Sequence, residues 1–201
     1  MKNITLMFFL LCMLFVFFSC SSTPVVTRVA ENEIIDLSGN WNDTDSKLVA
    51  EEMVSDSVAK PWIENFVKEK QNKPKIIVGT VLNKSDEHIN TETFVKDLEI
   101  ALLNTGKATF VADKNQRNEI RNERMDQADF SNSATVKKFG KETGADFMLK
   151  GQINTITDSA KNTTLKYYQI ELELIDIENN EKVWIGQKKI KKVVGKNKYK
   201  I

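Results

Sequence analysis

Apolar residues at helical spacing mark the start of the folded part of the chain. Polar residues 43–45 offer oxygen atoms that can cap a first helix, in which Leu48, Val49 and Met53 recur at helical spacing. Pro61 interrupts this pattern and suits the first turn of a second, short helix. That helix carries the apolar residues Trp62, Ile63, Phe66 and Val67.

Three further helices are predicted in the middle of the chain. The first is capped by Thr91, ends at Gly106 and places on one stripe the apolar residues Phe94, Val95, Leu98, Ala101 and Leu102. The second, over 113–127, is a polar helix with few apolar residues. The third is a short helix over 135–144.

Five strands are predicted from β-branched runs and alternating patterns. The run 75–83 shows little alternation, which is typical of a central strand covered on both faces, and 107–112 is a second strand. Two long stretches, 145–157 and 164–177, are predicted to pair as antiparallel strands, and 182–190 completes a meander.

The fourth strand shows the clearest alternation. Its predicted buried face carries Tyr168, Ile170, Leu172 and Leu174, and its wet face Gln169, Glu171 and Glu173. The phase slips at Ile175, which indicates a bulge or a strand end. The order of elements predicts a single α+β domain: a small mixed sheet of about four to five strands, flanked by helices, with a C-terminal antiparallel meander.

The N-terminal region has the layout of a secretory signal, with Lys2 followed by an apolar run over 6–18. This run is too short to cross a bilayer, which takes about 20 helical residues. Ser19 and Cys20 resemble the end of a bacterial lipobox, although the two preceding phenylalanines depart from its usual residues. We therefore expect lipid attachment at Cys20. The alternative is a signal cut elsewhere, with Cys20 an ordinary residue.

These expectations divide the chain into three parts. Residues 1–19 are a lipoprotein signal peptide, 20–33 a lipid-anchored flexible tether, and 34–201 an α+β partner-binding domain with a basic C-terminal tail. After cleavage no cysteine except Cys20 remains, so the domain has no disulfide and relies on its core.

Charge is nearly balanced, with 29 basic and 28 acidic residues, which gives no support to nucleic acid as a partner. The local exception is 188–200, which contains seven lysines and no acidic residue. A solvated strand edge followed by a tail accounts for this run, and contact with an anionic surface is the second interpretation.

The sequence offers few groups for catalysis. His88 is the single histidine, and only Asp86 and Glu87 lie close to it in sequence as possible metal ligands. A turn with polar side chains explains this stretch, and the glycines are too scattered for a phosphate-binding loop. We expect no catalytic residue, metal or cofactor; a hydrolase using His88 is the enzymatic alternative.

Three arginines form the most unusual pattern. Arg117, Arg121 and Arg124 share one face of the polar helix and offer guanidinium donors to a protein partner. The competing interpretation is an ordinary solvated face that Glu119 and Glu123 neutralise.

Many stretches taken together resemble the LpoB-type activators of penicillin-binding proteins, which are bacterial envelope lipoproteins. They include "DLSGNWNDTDSKLVAEEM", "PWIENF", "NKSDEHINTETF", "ALLNTGKATFVA", "NEIRNERMDQ", "GADFMLKGQI" and "YYQIELELIDIENNEKVWIGQKKIKK". The resemblance covers about residues 34–192. It implies a non-enzymatic protein, expected to be monomeric, that is held at the outer membrane, faces the periplasm, docks on a class A penicillin-binding protein and stimulates its glycan polymerisation.

One feature departs from the best-known members, which hang on a long tether. Here about 15 residues follow Cys20 before the expected domain, and they reach about 50 Å when extended and about 20 to 25 Å as a coil. The alternative function is an assembly or secretion lipoprotein resembling curli-type channel components. Such a protein should form rings, and Glu171 and Glu173 would be costly in its membrane-facing hairpin.

Overall fold

The computed structural model describes residues 25–30 and 32–195. The expected signal peptide, Cys20 and the end of the basic tail lie outside this part. The chain divides into two units, Met1–Glu33 and Ile34–Ile201. In the first unit, residues 25–30 are exposed coil, and the amide of Glu33 donates a 3.0 Å hydrogen bond to the carbonyl of Ala30.

The second unit contains four helices and five strands. The helices are α1 (Asp43–Val58), α2 (Trp62–Lys70), α3 (Thr91–Asn104) and α4 (Lys114–Phe130). The strands are β1 (Lys75–Lys84), β2 (Thr109–Phe110), β3 (Phe147–Ala160), β4 (Thr163–Asp176) and β5 (Lys182–Gly195).

The strands form one mixed sheet in the order β2-β1-β3-β4-β5. β1 is parallel to β2 and β3, whereas β3, β4 and β5 form an antiparallel meander. The predicted α+β class, mixed sheet and C-terminal meander are confirmed.

The core lies between one face of the sheet and the helices. α1 packs against α3 and β5, and α3 packs against β1 and β2. On α2, the rings of Trp62 and Phe66 lie 5.2 and 5.3 Å from that of Phe147, centroid to centroid. All buried apolar side chains in the described residues fall between Val49 and Trp184, so 34–201 contains its own core and is expected to fold without the N-terminal unit.

The alternation in β4 is confirmed. Tyr168, Ile170, Leu172 and Leu174 are buried on the core face, and the register with β5 shifts between Leu174 and Ile175, where the sequence pattern slips. On the other face, Glu171 accepts hydrogen bonds from three glutamine side chains, Gln152, Gln169 and Gln187. This open face of the sheet is therefore polar in its middle.

Three predicted strands differ in extent or environment. β1 is central but covered on one face only, and Leu82 is 48% exposed. β2 contains two residues instead of six, whereas β5 extends past Ile190 to Gly195. The hairpin between β3 and β4 turns at residues 161–162, with Lys161 at a φ of 53°.

Two helices, α1 and α3, begin slightly earlier than predicted. Asn42 caps α1, and its side chain accepts from the amide of Asp45 at 3.0 Å while the Asp45 carboxylate accepts from the amide of Asn42 at 3.0 Å. Asn90, not Thr91, caps α3. In α1 the buried face carries Val49 and Met53 as expected, but Leu48 is 54% exposed.

The short helix predicted over 135–144 is wrong. Turns and irregular backbone occupy this segment, which begins with the β-branched Thr135 and Val136 and contains Gly140 at a φ of 70°. β-branched residues and glycine both disfavour helix, and this segment buries no apolar face that would offset that cost.

Candidate functional site: the α4 arm

α4 is the least buried helix of the domain. It contains no buried residue, and a capping box closes its first turn. The Asp113 carboxylate accepts from the amides of Asn115 and Gln116 at 2.7 and 3.0 Å, and the Gln116 side chain accepts from the amide of Asp113 at 3.0 Å. The predicted polar helix is confirmed, and caps and polar contacts rather than core packing hold it.

The structure separates the three predicted arginines. Arg121 donates two parallel hydrogen bonds to the Glu142 carboxylate at 2.8 and 2.7 Å, and Arg124 donates a third at 3.1 Å. Arg117 instead donates to the carbonyl of Ala112 at 2.8 Å. All three guanidinium groups thus have partners within the chain.

These contacts fold the segment after α4 back along the helix. Hydrogen bonds from Arg121 and the charge of both arginines lower the pKa of Glu142. The amide of Lys137 donates to the side chain of Gln127 at 3.3 Å, which fixes a second point of the returning segment. We call residues 113–146 the α4 arm.

A groove of about 760 Å³ runs between the helix and the returning segment. Ile120 and Val136 form its apolar part. The charged and polar lining consists of Arg124, Lys137, Lys138 and Lys141 with Glu119, Glu123 and Gln127. Four cationic residues against two acidic ones favour a partner surface with an apolar centre and acidic flanks.

The arm also exposes large apolar side chains outside the groove. Met125, Phe130 and Phe139 are all more than half exposed, and Phe130, at the end of α4, is 82% exposed. Such a concentration of exposed apolar groups on one element is typical of a protein interaction site. The sequence had drawn attention only to the arginines of this arm.

A second cluster, which the sequence analysis missed, fastens the start of the domain to the sheet. Lys166 of β4 and Lys192 of β5 lie opposite each other on the core face. Lys166 pairs with Glu87 at 2.7 Å, and Lys192 pairs with Asp36 and Asp45 at 2.7 and 2.6 Å. We call these five residues the entry clamp. The sequence signal was two lysines in phase with the buried Tyr168 and the half-buried Ile190.

Glu87 is the most connected member of the entry clamp. It also accepts hydrogen bonds from the Tyr168 hydroxyl at 2.6 Å and from the amide of Trp41 at 3.0 Å. Burial alone would raise the pKa of Glu87, but the hydrogen bonds from Lys166, Tyr168 and Trp41 outweigh it and the pKa is lowered. Trp41 packs in turn on Phe94 and Tyr168, with ring centroids 5.9 and 5.8 Å apart.

His88 is exposed in the loop after β1. Its two acidic neighbours have structural partners: Glu87 belongs to the entry clamp, and Asp86 accepts from Thr155 and Thr157 at 2.6 and 2.9 Å. The part of the chain that the structure describes contains no group of three or more His, Cys, Asp or Glu arranged to hold a metal ion. Within the same residues, no helix has the length and apolar character needed to cross a membrane.

A family model described as peptidoglycan-synthase activator LpoB matches residues 45–190. The chain belongs to this family. The resemblance found in the sequence is thereby confirmed, and the match includes the whole α4 arm. A comparison with curated proteins finds no match.

Several solved structures are similar to the domain at low sequence identity. The LpoB C-terminal domain from Escherichia coli is 16% identical, with a TM-score of 0.46, over 73% of this chain and 98% of that one. The NMR structure of E. coli LpoB is also 16% identical, with a TM-score of 0.42, over 89% and 84% of the two chains. The lipoprotein GNA1162 from Neisseria meningitidis is 17% identical, with a TM-score of 0.42, over 63% and 88%.

Proposed function

We propose that this protein is a cell-envelope lipoprotein that binds a class A penicillin-binding protein and stimulates its glycan polymerisation. Membership in a family of peptidoglycan-synthase activators is the observation that carries the proposal. The protein acts by contact and performs no chemistry of its own. The polymerised glycan is then available for cross-linking by the same synthase.

The α4 arm is the docking surface in this proposal. Its groove and its exposed phenylalanines offer an apolar contact area, and its lysines offer charge complementarity to an acidic synthase surface. The predicted arginine face takes part indirectly, because Arg121 and Arg124 hold the returning segment that forms one wall of the groove.

The anchor in this proposal is a lipid on Cys20, with the domain facing the periplasm from the outer membrane. An acyl chain contributes about 0.8 kcal/mol per buried methylene, and stable anchoring takes at least two chains. The short tether then holds the monomeric domain near its membrane, and the synthase must extend to meet it.

A pull-down from solubilised membranes of the same cell tests the proposal. Tagged 34–201 is expected to recover a class A synthase. The double variant Lys137→Glu, Lys138→Glu reverses two charges at the groove and should lower recovery at least about tenfold. The matched control, Lys68→Glu, Lys73→Glu, reverses one exposed lysine in the last turn of α2 and one just after the helix, and should recover the parent amount.

Two outcomes of this experiment would contradict the proposal in whole or in part. Absence of any class A synthase from the parent pull-down would refute the binding partner. Equal recovery by the groove variant and the control would move the docking surface away from the α4 arm. An Arg117, Arg121, Arg124 triple Ala variant is less specific, since it also frees Glu142.

A further inference from the structure

The far end of the β3–β4 hairpin carries an apolar patch on the open face of the sheet. By register, Ile156 lies opposite Tyr167, and Leu165 lies opposite Val193. These two rows are neighbours on one face, about 7 Å apart along the strands. Ile156 and Val193 are 65% and 69% exposed. We call Ile156, Leu165, Tyr167 and Val193 the hairpin patch.

Lysines border the hairpin patch. The Nζ of Lys191 lies 5.9 Å from the centre of the Tyr167 ring, and Lys189 follows on the next row of the same face, opposite Gln169. Both lysines are exposed. Among the residues of these three rows, Asp158, which lies opposite Leu165, is the one that is acidic. After β5 the sequence continues with Lys196, Lys198 and Lys200.

An apolar centre with a cationic border is the chemistry that binds the surface of an anionic bilayer. Apolar side chains enter the boundary between headgroups and acyl chains, while lysines pair with phosphate groups. A lysine close to such a surface strengthens binding about fivefold. Soluble acidic proteins also attract lysines, and the place where the chain enters the domain distinguishes between the two kinds of partner.

The point where the chain enters the domain favours a membrane over a soluble protein. Asp36 is bound to Lys192, next in sequence to Lys191 and Val193, and the backbone of Gly39 lies against Val194. The chain therefore enters the domain at the same end of β5 as the hairpin patch, but on the opposite face of the sheet. About 16 residues join Cys20 to Asp36, which reach at most about 55 Å and on average about 22 Å.

We propose that the hairpin patch, with Lys189 and Lys191, contacts the anionic phospholipids of the membrane that holds the anchor. The location of this contact rests on the proposed lipidation of Cys20, whereas the binding chemistry belongs to the domain alone. A weak contact suffices, because the tether supplies a high local concentration of membrane.

Vesicle sedimentation tests this contact with unlipidated 34–201, which contains its own core and the basic tail. The domain is expected to sediment with vesicles of phosphatidylglycerol and phosphatidylethanolamine at low salt, and to be released as salt rises. Phosphatidylcholine vesicles should bind at least about tenfold less. The variants Lys189→Glu, Lys191→Glu and Ile156→Ser, Val193→Ser should each weaken binding to the anionic vesicles about tenfold or more.

Charge reversal in the α4 arm is the matched control. Lys137→Glu, Lys138→Glu changes the net charge equally and should leave vesicle binding at the parent level. Conversely, Lys189→Glu, Lys191→Glu should recover the synthase normally in the pull-down, which separates this proposal from the function proposed above. Equal sedimentation with both vesicle types, no sedimentation with either, or binding to cell-wall sacculi alone would overturn the membrane contact.

Discussion

At the residue scale, the entry clamp concentrates charge where the chain joins the sheet. Two lysines directly opposite each other on neighbouring strands repel, so Lys166 and Lys192 require the carboxylates that surround them. The side chains of Lys192 and Asp45 are only 12% and 9% exposed. Loss of either partner therefore leaves a charge in a poorly solvated site.

The variant Lys192→Met is expected to lower the free energy of unfolding by about 2 kcal/mol, because Asp36 and Asp45 both lose their cation. Urea unfolding measures this change. The neighbouring variant Lys191→Met alters an exposed side chain on the other face and should stay within about 0.5 kcal/mol of the parent. Equal losses for the two variants would show that the clamp does not stabilise the domain.

Glu87 predicts a pH dependence. Its pKa in the folded domain is lowered relative to the unfolded chain, so its contribution is complete above the unfolded pKa of about 4.3 and is lost as the pH falls through the folded pKa. Stability should therefore decline on acidification below about pH 4.5. The decline should be shallower in Glu87→Gln.

Urea unfolding at a series of acidic pH values checks this expectation. Tyr168→Phe keeps the ion pair with Lys166 and removes one hydrogen bond to Glu87, so it should show an intermediate slope. If the free energy of unfolding of Glu87→Gln falls with pH as steeply as that of the parent, Glu87 does not contribute to the pH dependence.

The clamp also shows why part of the site was not evident in the sequence. Asp36, Glu87 and Lys192 are far apart along the chain, and only the pairing of β4 with β5 and the packing of the loop after β1 bring them together. The only indication in the sequence was that two lysines occupy core-face positions, where they need acidic partners. The alternation of apolar and polar residues in a strand does not predict which carboxylates pair with these lysines.

At the element scale, strong periodicity was the reliable guide. β4 was predicted with its buried face and its irregularity at Ile175, because alternation over many residues has one consistent interpretation. β1 was misjudged: an unbroken apolar run suits a strand buried on both faces, yet the helices cover only one face here. The helix predicted over 135–144 does not form, because a weak local preference for helix is not enough when the segment has no apolar face to bury.

The α4 arm predicts local rather than global sensitivity. Glu142→Gln weakens the contacts with Arg121 and Arg124, so amides in the returning segment should exchange faster with solvent, those of Val136 and Lys137 included. The free energy of unfolding should stay close to that of the parent, because exposed ion pairs contribute little.

Amide hydrogen exchange measured residue by residue checks this expectation. Glu119→Gln, which changes an exposed acid on the same helix, is the matched control and should leave these amides unchanged. Unaltered exchange at Val136 and Lys137 in Glu142→Gln would show that the arginines do not hold the segment.

At the scale of the whole molecule, the domain places different surfaces at different positions along its sequence. The α4 arm, in the middle of the chain, contains a groove, while the clamp and the hairpin patch gather at the end of β5 near Asp36. The family match over 45–190 contains the arm but stops before Lys192 and does not reach back to Asp36. The family match thus contains most of the clamp and of the hairpin patch, and only Asp36, Lys192 and Val193 of these residues lie outside it.

The rate of glycan polymerisation by a purified class A synthase from the same cell tests the central claim most directly. Saturating 34–201 is expected to raise this rate, and the groove variant Lys137→Glu, Lys138→Glu should raise it much less than the control Lys68→Glu, Lys73→Glu. A polymerisation rate that stays the same at saturating parent domain would contradict the account.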